Sequence, residues 1–290
     1  MFIANDSVPA LAKVVAQRDA PQTDLIWTTD QTHSQGQAEG ILVPLDVSRI
    51  PNMQQCYDFA VMPDKVGVLW GVGGCAMGYN TELLARNHLA PPQSWMDLFA
   101  PALKGHVAWL DFSTAQGITS FLMINKLAGG SEENVDPGFK FLSGHLSQFA
   151  AVVSSPAQVD DALQQRQAWC ATNLDARFQL LKSRNFPLEV VYGSEGIPQI
   201  AVILDLVKGA PHPNLAHAFI DYALSKEAQE VVGNDMLLGP VNRTALLTPQ
   251  TQQAVIYGPE RVQKLVRFDY AKIASSLDDW IGRWNRDIAH

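Results

Sequence analysis

The chain has 290 residues, 47% hydrophobic and 17% charged, with 21 Lys+Arg against 29 Asp+Glu and a formal net charge of −8. That length suits two lobes of roughly 100–200 residues each, and the composition is that of a folded globular protein, not a disordered one. An acidic surface repels a phosphate backbone, which argues against a nucleic-acid partner, and no apolar run reaches the ~18 residues that a membrane span needs. The three cysteines, Cys56, Cys75 and Cys170, form no C-x-x-C pair. They read as small buried residues, with one disulfide plus an odd thiol as the alternative. The opening MFIANDSVPALAKVV has neither the basic region nor the sustained apolar region of a signal peptide.

In chain order, short apolar runs alternate with helical patterns, the signature of an α/β fold. Ser7 to Gln17 is helical in pattern, with Val8, Leu11 and Val15 on one face. Asp24–Trp27 reads as a strand that ends in Thr28-Thr29-Asp30. In open α/β sheets ligands sit beyond the carboxyl ends of strands, so this triplet is a candidate site; a helix N-cap is the competing reading. Val66–Trp70 and Cys75–Tyr79 are strand-like around Gly71, Gly73 and Gly74, a glycine group without nucleotide-binding spacing that suits a bend in a long strand. Ser94, with Asp97 three residues on, marks a capping-box helix start.

Gly105–Leu110 is a further strand running into Asp111-Phe-Ser113-Thr114-Ala-Gln116-Gly117 and then a helix from Ile118 to Leu127. A helix N-terminus there suits an anionic group, and plain capping by Ser113 or Thr114 is equally open. Gln167–Ala171 leads to Thr172, Asn173, Asp175 and Arg177, and Glu189–Tyr192 leads to Glu195-Gly196. Arg177 could clamp a carboxylate or phosphonate, or simply lie on the surface. Ile200–Val207, apolar apart from Asp205, reads as a buried strand. The following helix places Leu215, Phe219, Tyr222 and Ala223 on one face, which predicts that face as buried, and the next helix does so with Ala228, Val231 and Val232. Trp280 and Trp284, four apart in a helical tail, are core candidates.

Val191-Tyr-Gly-Ser-Glu-Gly-Ile-Pro, then Val207-Lys-Gly-Ala-Pro-His-Pro, then Ala218 to Gln229 resemble the return segment of bacterial periplasmic solute-binding proteins. The groups concerned are the spermidine/putrescine-binding family and its ferric-iron and aminoethylphosphonate relatives. Gly78-Tyr-Asn-Thr81, Pro92–Phe99, Leu103–Val107 and Gly239-Pro-Val-Asn242 match in the same order. The resemblance implies two α/β lobes joined by two crossing strands (the type II arrangement), with residues 1–77 plus 199–245 in lobe 1 and 78–198 in lobe 2. Residues 246–290 would be C-terminal helices packing across the lobes. It implies the ligand-binding subunit of an ABC importer, periplasmic and monomeric, that closes on a small solute and delivers it to a membrane permease without catalysis or cofactor. Hinge rotation is expected near Gly73–Gly78 and Gly196–Gln199.

On the family pattern Thr28 and Asp30 fall at cleft contacts of the first lobe, Asp111 to Gln116 on the acidic turn of the second, Asn173 near an aromatic cleft residue, and Asp269 at a late polar contact. With their neighbours they make the candidate ligand set Thr28, Thr29, Asp30, Asp111, Ser113, Thr114, Gln116, Asn173, Asp175, Glu195 and Asp269. The chain departs from the polyamine binders at Ile200 and Val202, where those carry an aromatic residue and an aspartate. It also lacks the adjacent tyrosines of ferric binders. A polyamine, a zwitterionic amino-acid conjugate or an aminophosphonate all remain open. Against the family pattern, about one βα unit is missing before Asp24, so the first lobe is expected to be incomplete at its N-terminal side and to expose sheet edges. The alternative activity is a cleft-cysteine enzyme on the same fold, with Cys170 as its nucleophile.

Overall fold

The computed structural model describes residues 7–62 and 64–288. Residues 1–6, part of the stretch read above as lacking a signal peptide, lie outside the described residues. The strands are β1 (Leu25–Thr28), β2 (Leu42–Val43), β3 (Val68–Asn80), β4 (Val107–Leu110) and β5 (Phe149–Val153). There follow β6 (Cys170–Leu174), β7 (Leu188–Val191), β8 (Ile197–Val207), β9 (Gly239–Pro240) and β10 (Leu265–Val266), with helices between.

The chain forms two compact units: Met1–Gly73 with Ala201–Gly258, and Gly74–Ile200 with Pro259–His290. It passes between them inside β3, inside β8 and after Gly258. The passages in the two long strands fall at 73/74 and 200/201. Residues 259–290 are part of the second unit. The reason is aromatic packing: Trp284 stacks on Phe112 with ring centroids 4.2 Å apart, and Trp280 and Trp284 both reach Phe121.

In the first unit β1 and β2 run antiparallel to β8, with Leu25 opposite Leu206, Thr28 opposite Ile203 and Leu42 opposite Val207. The first part of β3 pairs with β9. Ile203, Leu204 and Leu206 of β8 pack with Leu69, Ile220 and Leu224 in the core. The helix Pro213–Ala223 meets this core with Ala216, Ile220 and Ala223, while Leu215, Phe219 and Tyr222 are exposed. Of the face expected from the sequence, only Ala223 is buried. Apolar residues recur at helical spacing on both sides of this helix. The helix Lys226–Asn234 likewise buries Val232 and exposes Val231, and the helix Ser7–Ala16 buries Leu11 and Val14 and exposes Val8.

In the second unit β4 lies between β5 and β6, parallel to both. All four of its residues, Val-Ala-Trp-Leu, are buried, as expected of a parallel strand covered on both faces. The rest of β3 runs antiparallel to β6 and β7, with Cys75 opposite Leu174 and Met77 opposite Val191. The long strand read from the sequence around Gly71, Gly73 and Gly74 is one 13-residue strand. Its first part pairs with β9 and its last part with β6 and β7. The helix Ala115–Leu127 follows β4 and buries nine of its residues, Gly117 through Asn125.

Candidate functional site

Three strand ends carry most of the candidate residues. At the end of β1 Thr28 is buried, and its hydroxyl donates to Asp205 Oδ2 at 2.5 Å. Asp205 Oδ1 meets His33 Nδ1 at 2.9 Å, and both side chains are almost wholly enclosed. Burial works to lower the His33 pKa, but the hydrogen bond and charge of Asp205, with Asp64 and Asp30 further off, outweigh it and leave the pKa raised. His33 Nε2 is buried without a partner among the described residues. Thr29 caps the helix Asp30–Ala38, its N–H donating to Thr32 Oγ1 at 2.9 Å. Asp30, the first residue of that helix, accepts the N–H of Ala201 on Oδ2 at 2.8 Å.

At the end of β4 Asp111 Oδ1 accepts the N–H of Ser113 at 2.9 Å and also the Ser113 hydroxyl. Thr114 is the N-cap of the next helix, with Oγ1 accepting from the Gly117 N–H at 3.0 Å. Gly117 is required here, because a Cβ on it would lie 1.8 Å from the Asp111 carbonyl oxygen. The Gln116 side chain, half-buried one position earlier, makes no hydrogen bond among the described residues. The turn is therefore a built helix start, as the capping reading has it.

At the end of β6 Asn173 is buried, donating to the Pro156 carbonyl at 3.3 Å and accepting the Leu174 N–H at 2.9 Å. Asp175 opens the following helix with only 2% of its surface exposed. Its Oδ2 accepts from the Tyr192 hydroxyl at 2.6 Å and the Gly74 N–H at 3.0 Å, and Oδ1 accepts the Ala176 N–H at 2.8 Å. Burial pushes the Asp175 carboxyl up to about 6, partly offset by Tyr192, the two N–H groups and the charge of Arg261. Arg177 does not offer a free guanidinium: it donates to Asp160 Oδ2 at 2.5 Å.

Glu195 is held by the Ser94 hydroxyl and, at 3.4 Å, by the Trp95 N–H. Ser94 and Asp97 form the capping box read from the sequence, with Asp97 Oδ2 accepting the Ser94 N–H at 2.9 Å. Asp269 is exposed and caps the helix Tyr270–Ala274 through Lys272 N–H at 3.2 Å. Thr28, Thr29 and Asp30 thus belong to the first unit and the other candidates to the second. The sequence reading missed His33, Tyr192 and the strand N–H groups of Gly74 and Ala201. It had noted one real signal, the lone Asp205 in an apolar run, which announces a buried partner. Cys170 is fully buried and its thiol is pushed up to about 12 by burial, the reverse of what a thiolate nucleophile needs.

Residues 3–259 match the family described as bacterial extracellular solute-binding protein. The chain belongs to that family. As a solute-binding protein it is similar to a Salmonella typhimurium protein provisionally named as 2-aminoethylphosphonate-binding and periplasmic, at 23% identity over 94% of this chain and 78% of the relative. The crystal structure of an ABC transporter protein from Clostridium perfringens superposes with a TM-score of 0.87 at 23% identity, covering 99% of this chain and 90% of the other. The periplasmic binding protein AfuA from Actinobacillus pleuropneumoniae, solved with fructose-6-phosphate, gives a TM-score of 0.80 at 24% identity, covering 100% of this chain and 90% of the other. These structural likenesses establish the two-lobed fold.

Proposed function

We propose that this solute-binding protein captures a small oxyanion-bearing polar solute, of the aminophosphonate or sugar-phosphate kind, in the periplasm and hands it to the permease of an ABC importer. The protein works by binding alone: closure about the strands that cross between lobes traps the solute, and no bond is made or broken. The observation that carries the ligand class is the state of the carboxylates. A polyamine needs carboxylates free to grip ammonium groups. Both oxygens of Asp175 and of Glu195 already accept donors of the chain, and Asp30 and Asp111 each have at least one oxygen so engaged. The solutes named for two relatives, 2-aminoethylphosphonate and fructose-6-phosphate, each carry a phosphonate or phosphate group.

Hydroxyl and amide groups then supply the contacts, and we assign Thr29, Ser113, Thr114 and Gln116 to them, Gln116 foremost for its uncommitted amide. The buried Thr28 and Asn173 shape their strand ends, and Asp269 stays a helix cap. Titration calorimetry and thermal shift with 2-aminoethylphosphonate, fructose-6-phosphate, inorganic phosphate and spermidine test the reading. One-to-one saturable binding of an oxyanion is expected, with stabilisation of about 2.7 kcal/mol at a hundredfold excess over Kd. Gln116→Ala should weaken it about tenfold, the loss of roughly one hydrogen bond. Stabilisation by spermidine alone would overturn the ligand class, and turnover of any solute would overturn the binding role.

A further inference from the structure

Each long strand enters its new unit at a residue whose backbone N–H is taken by a carboxylate. Gly74 opens the second unit's share of β3, and its N–H goes to Asp175 at 3.0 Å. Ala201 opens the first unit's share of β8, and its N–H goes to Asp30 at 2.8 Å. The two acids match in position. Asp30 begins the helix after β1, Asp175 begins the helix after β6, and each lies in the unit that its strand is entering.

Strand N–H groups ordinarily serve a neighbouring strand. Here a side chain takes over where the ladder changes hands. Along β3 the partner is β9 at Gly71 and Val72 and β6 from Cys75 onward. Along β8, which also neighbours β3 in the sheet, it is β10 at Ile197 and Pro198, and β1 from Ile203 to Leu206. Asp175 is itself fixed by Tyr192 and the Ala176 N–H, and Gly74 has no slack, since a Cβ there would lie 2.5 Å from Ile197 Cγ2.

We infer that Asp30 and Asp175 are a matched pair of pivot anchors, each pinning the first residue that a crossing strand contributes to its unit and so setting where rotation begins. They are positioning residues for closure, not solute contacts. The inference deepens the binding role proposed above and rests on it for its purpose, though not for its geometry.

The test uses no solute. Spin labels go on Gln54→Cys in the first unit and Ser143→Cys in the second, both exposed positions, while the three native cysteines are buried. Pulsed dipolar spectroscopy then reads the distribution of distances between the units. Asp30→Ala and Asp175→Ala are each expected to broaden it. Asp30→Asn and Asp175→Asn keep an oxygen that can accept the same N–H, and should return the parent's width. Amide exchange localises the effect: D175A should speed exchange at Gly74 about tenfold and leave Ala201 alone, and D30A the reverse. Parent-width distributions in both alanine variants, or asparagine variants as broad as the alanine ones, would overturn the anchors. Should D175A fail to fold, the half-buried Asp30 pair decides the matter. A failed solute screen would leave this result standing, and a negative result here would leave the binding role untouched.

Discussion

Among the described residues each unit buries one aspartate, Asp205 in the first and Asp175 in the second, and the two are stabilised by different means. Asp205 sits against an imidazole that can carry charge, with a threonine hydroxyl on its other oxygen. Asp175 accepts from three neutral donors, Tyr192 O–H, Gly74 N–H and Ala176 N–H, with Arg261 acting from over the Tyr192 ring, 5.8 Å from its centroid. Neutral donors satisfy lone pairs without supplying a counter-charge. Burial therefore wins at Asp175 and raises its pKa, whereas the ion pair at Asp205 raises the pKa of its histidine.

The largest expected effect breaks the ion pair. Asp205→Ala strands His33 and the Thr28 hydroxyl in a dry interior and should cost about 3–5 kcal/mol in urea unfolding. Asp175→Ala also leaves donors unpaired, at about 1–3 kcal/mol each. It removes at the same time a carboxylate that is expensive to keep charged, so its net cost should be clearly smaller. Equal losses in the two variants would mean that the counter-charge makes no difference.

Titration sharpens the comparison. The Asp175 carboxyl is raised from the ordinary 3.8 to about 6. The stability it contributes is therefore fully present below about pH 4 and is lost as the pH rises through about 6, to a limit of about 3 kcal/mol. The groups acting on it are Tyr192 and Arg261, and its own charge acts on Cys75. His33, faced by Asp205, Asp64 and Asp30, is raised above 6.5, so its contribution is present below 6.5 and lost as the pH rises through its folded value. Both losses run in the same direction in successive windows. The melting temperature should fall with rising pH in two stages. Asp175→Asn should flatten the lower stage and His33→Gln the upper one. Flattening of both stages by one substitution would contradict their assignment to separate units.

Each buried carboxylate also has a glycine close by, and the crowding differs. A Cβ at Gly67 would lie 2.1 Å from Asp205 Oδ1, and its φ of +74° disfavours any other residue as well. A Cβ at Gly74 would meet Ile197 at 2.5 Å, Tyr192 at 3.1 Å and Asp175 at 3.3 Å, with ordinary φ. Overpacking of this kind costs about 1–3 kcal/mol. Gly67→Ala should fall at the upper end and Gly74→Ala at the lower in the same urea titration.

What could be read from the sequence follows from how local each signal is. Strand ends running into polar turns at Thr28, Asp111 and Asn173 were legible, because apolar runs and capping residues sit side by side in the chain. Which face of Pro213–Ala223 turns inward was not. Leu215, Phe219 and Tyr222 repeat at the same spacing as Ala216, Ile220 and Ala223, and only packing against distant parts of the chain chooses between them. The partners of Asp30 and Asp175 were hidden for a different reason. Both are backbone N–H groups more than a hundred residues distant, and a backbone donor leaves no mark in the residue alphabet. An aspartate at a strand end looks the same whether it awaits a solute or holds a strand.

The smallest expected effect separates those two roles at Asp175. Tyr192→Phe removes one donor from Oδ2 and should cost about 1 kcal/mol. The lost hydrogen bond had favoured the charged carboxylate, so the Asp175 pKa should rise further and the lower stage of the melting curve should move to higher pH. The Gly74 N–H keeps its acceptor in this variant, so its amide exchange should stay slow even though the titration has shifted. Exchange at Gly74 as fast as in Asp175→Ala would mean that the tyrosine, by orienting the carboxylate, is what holds the crossing strand.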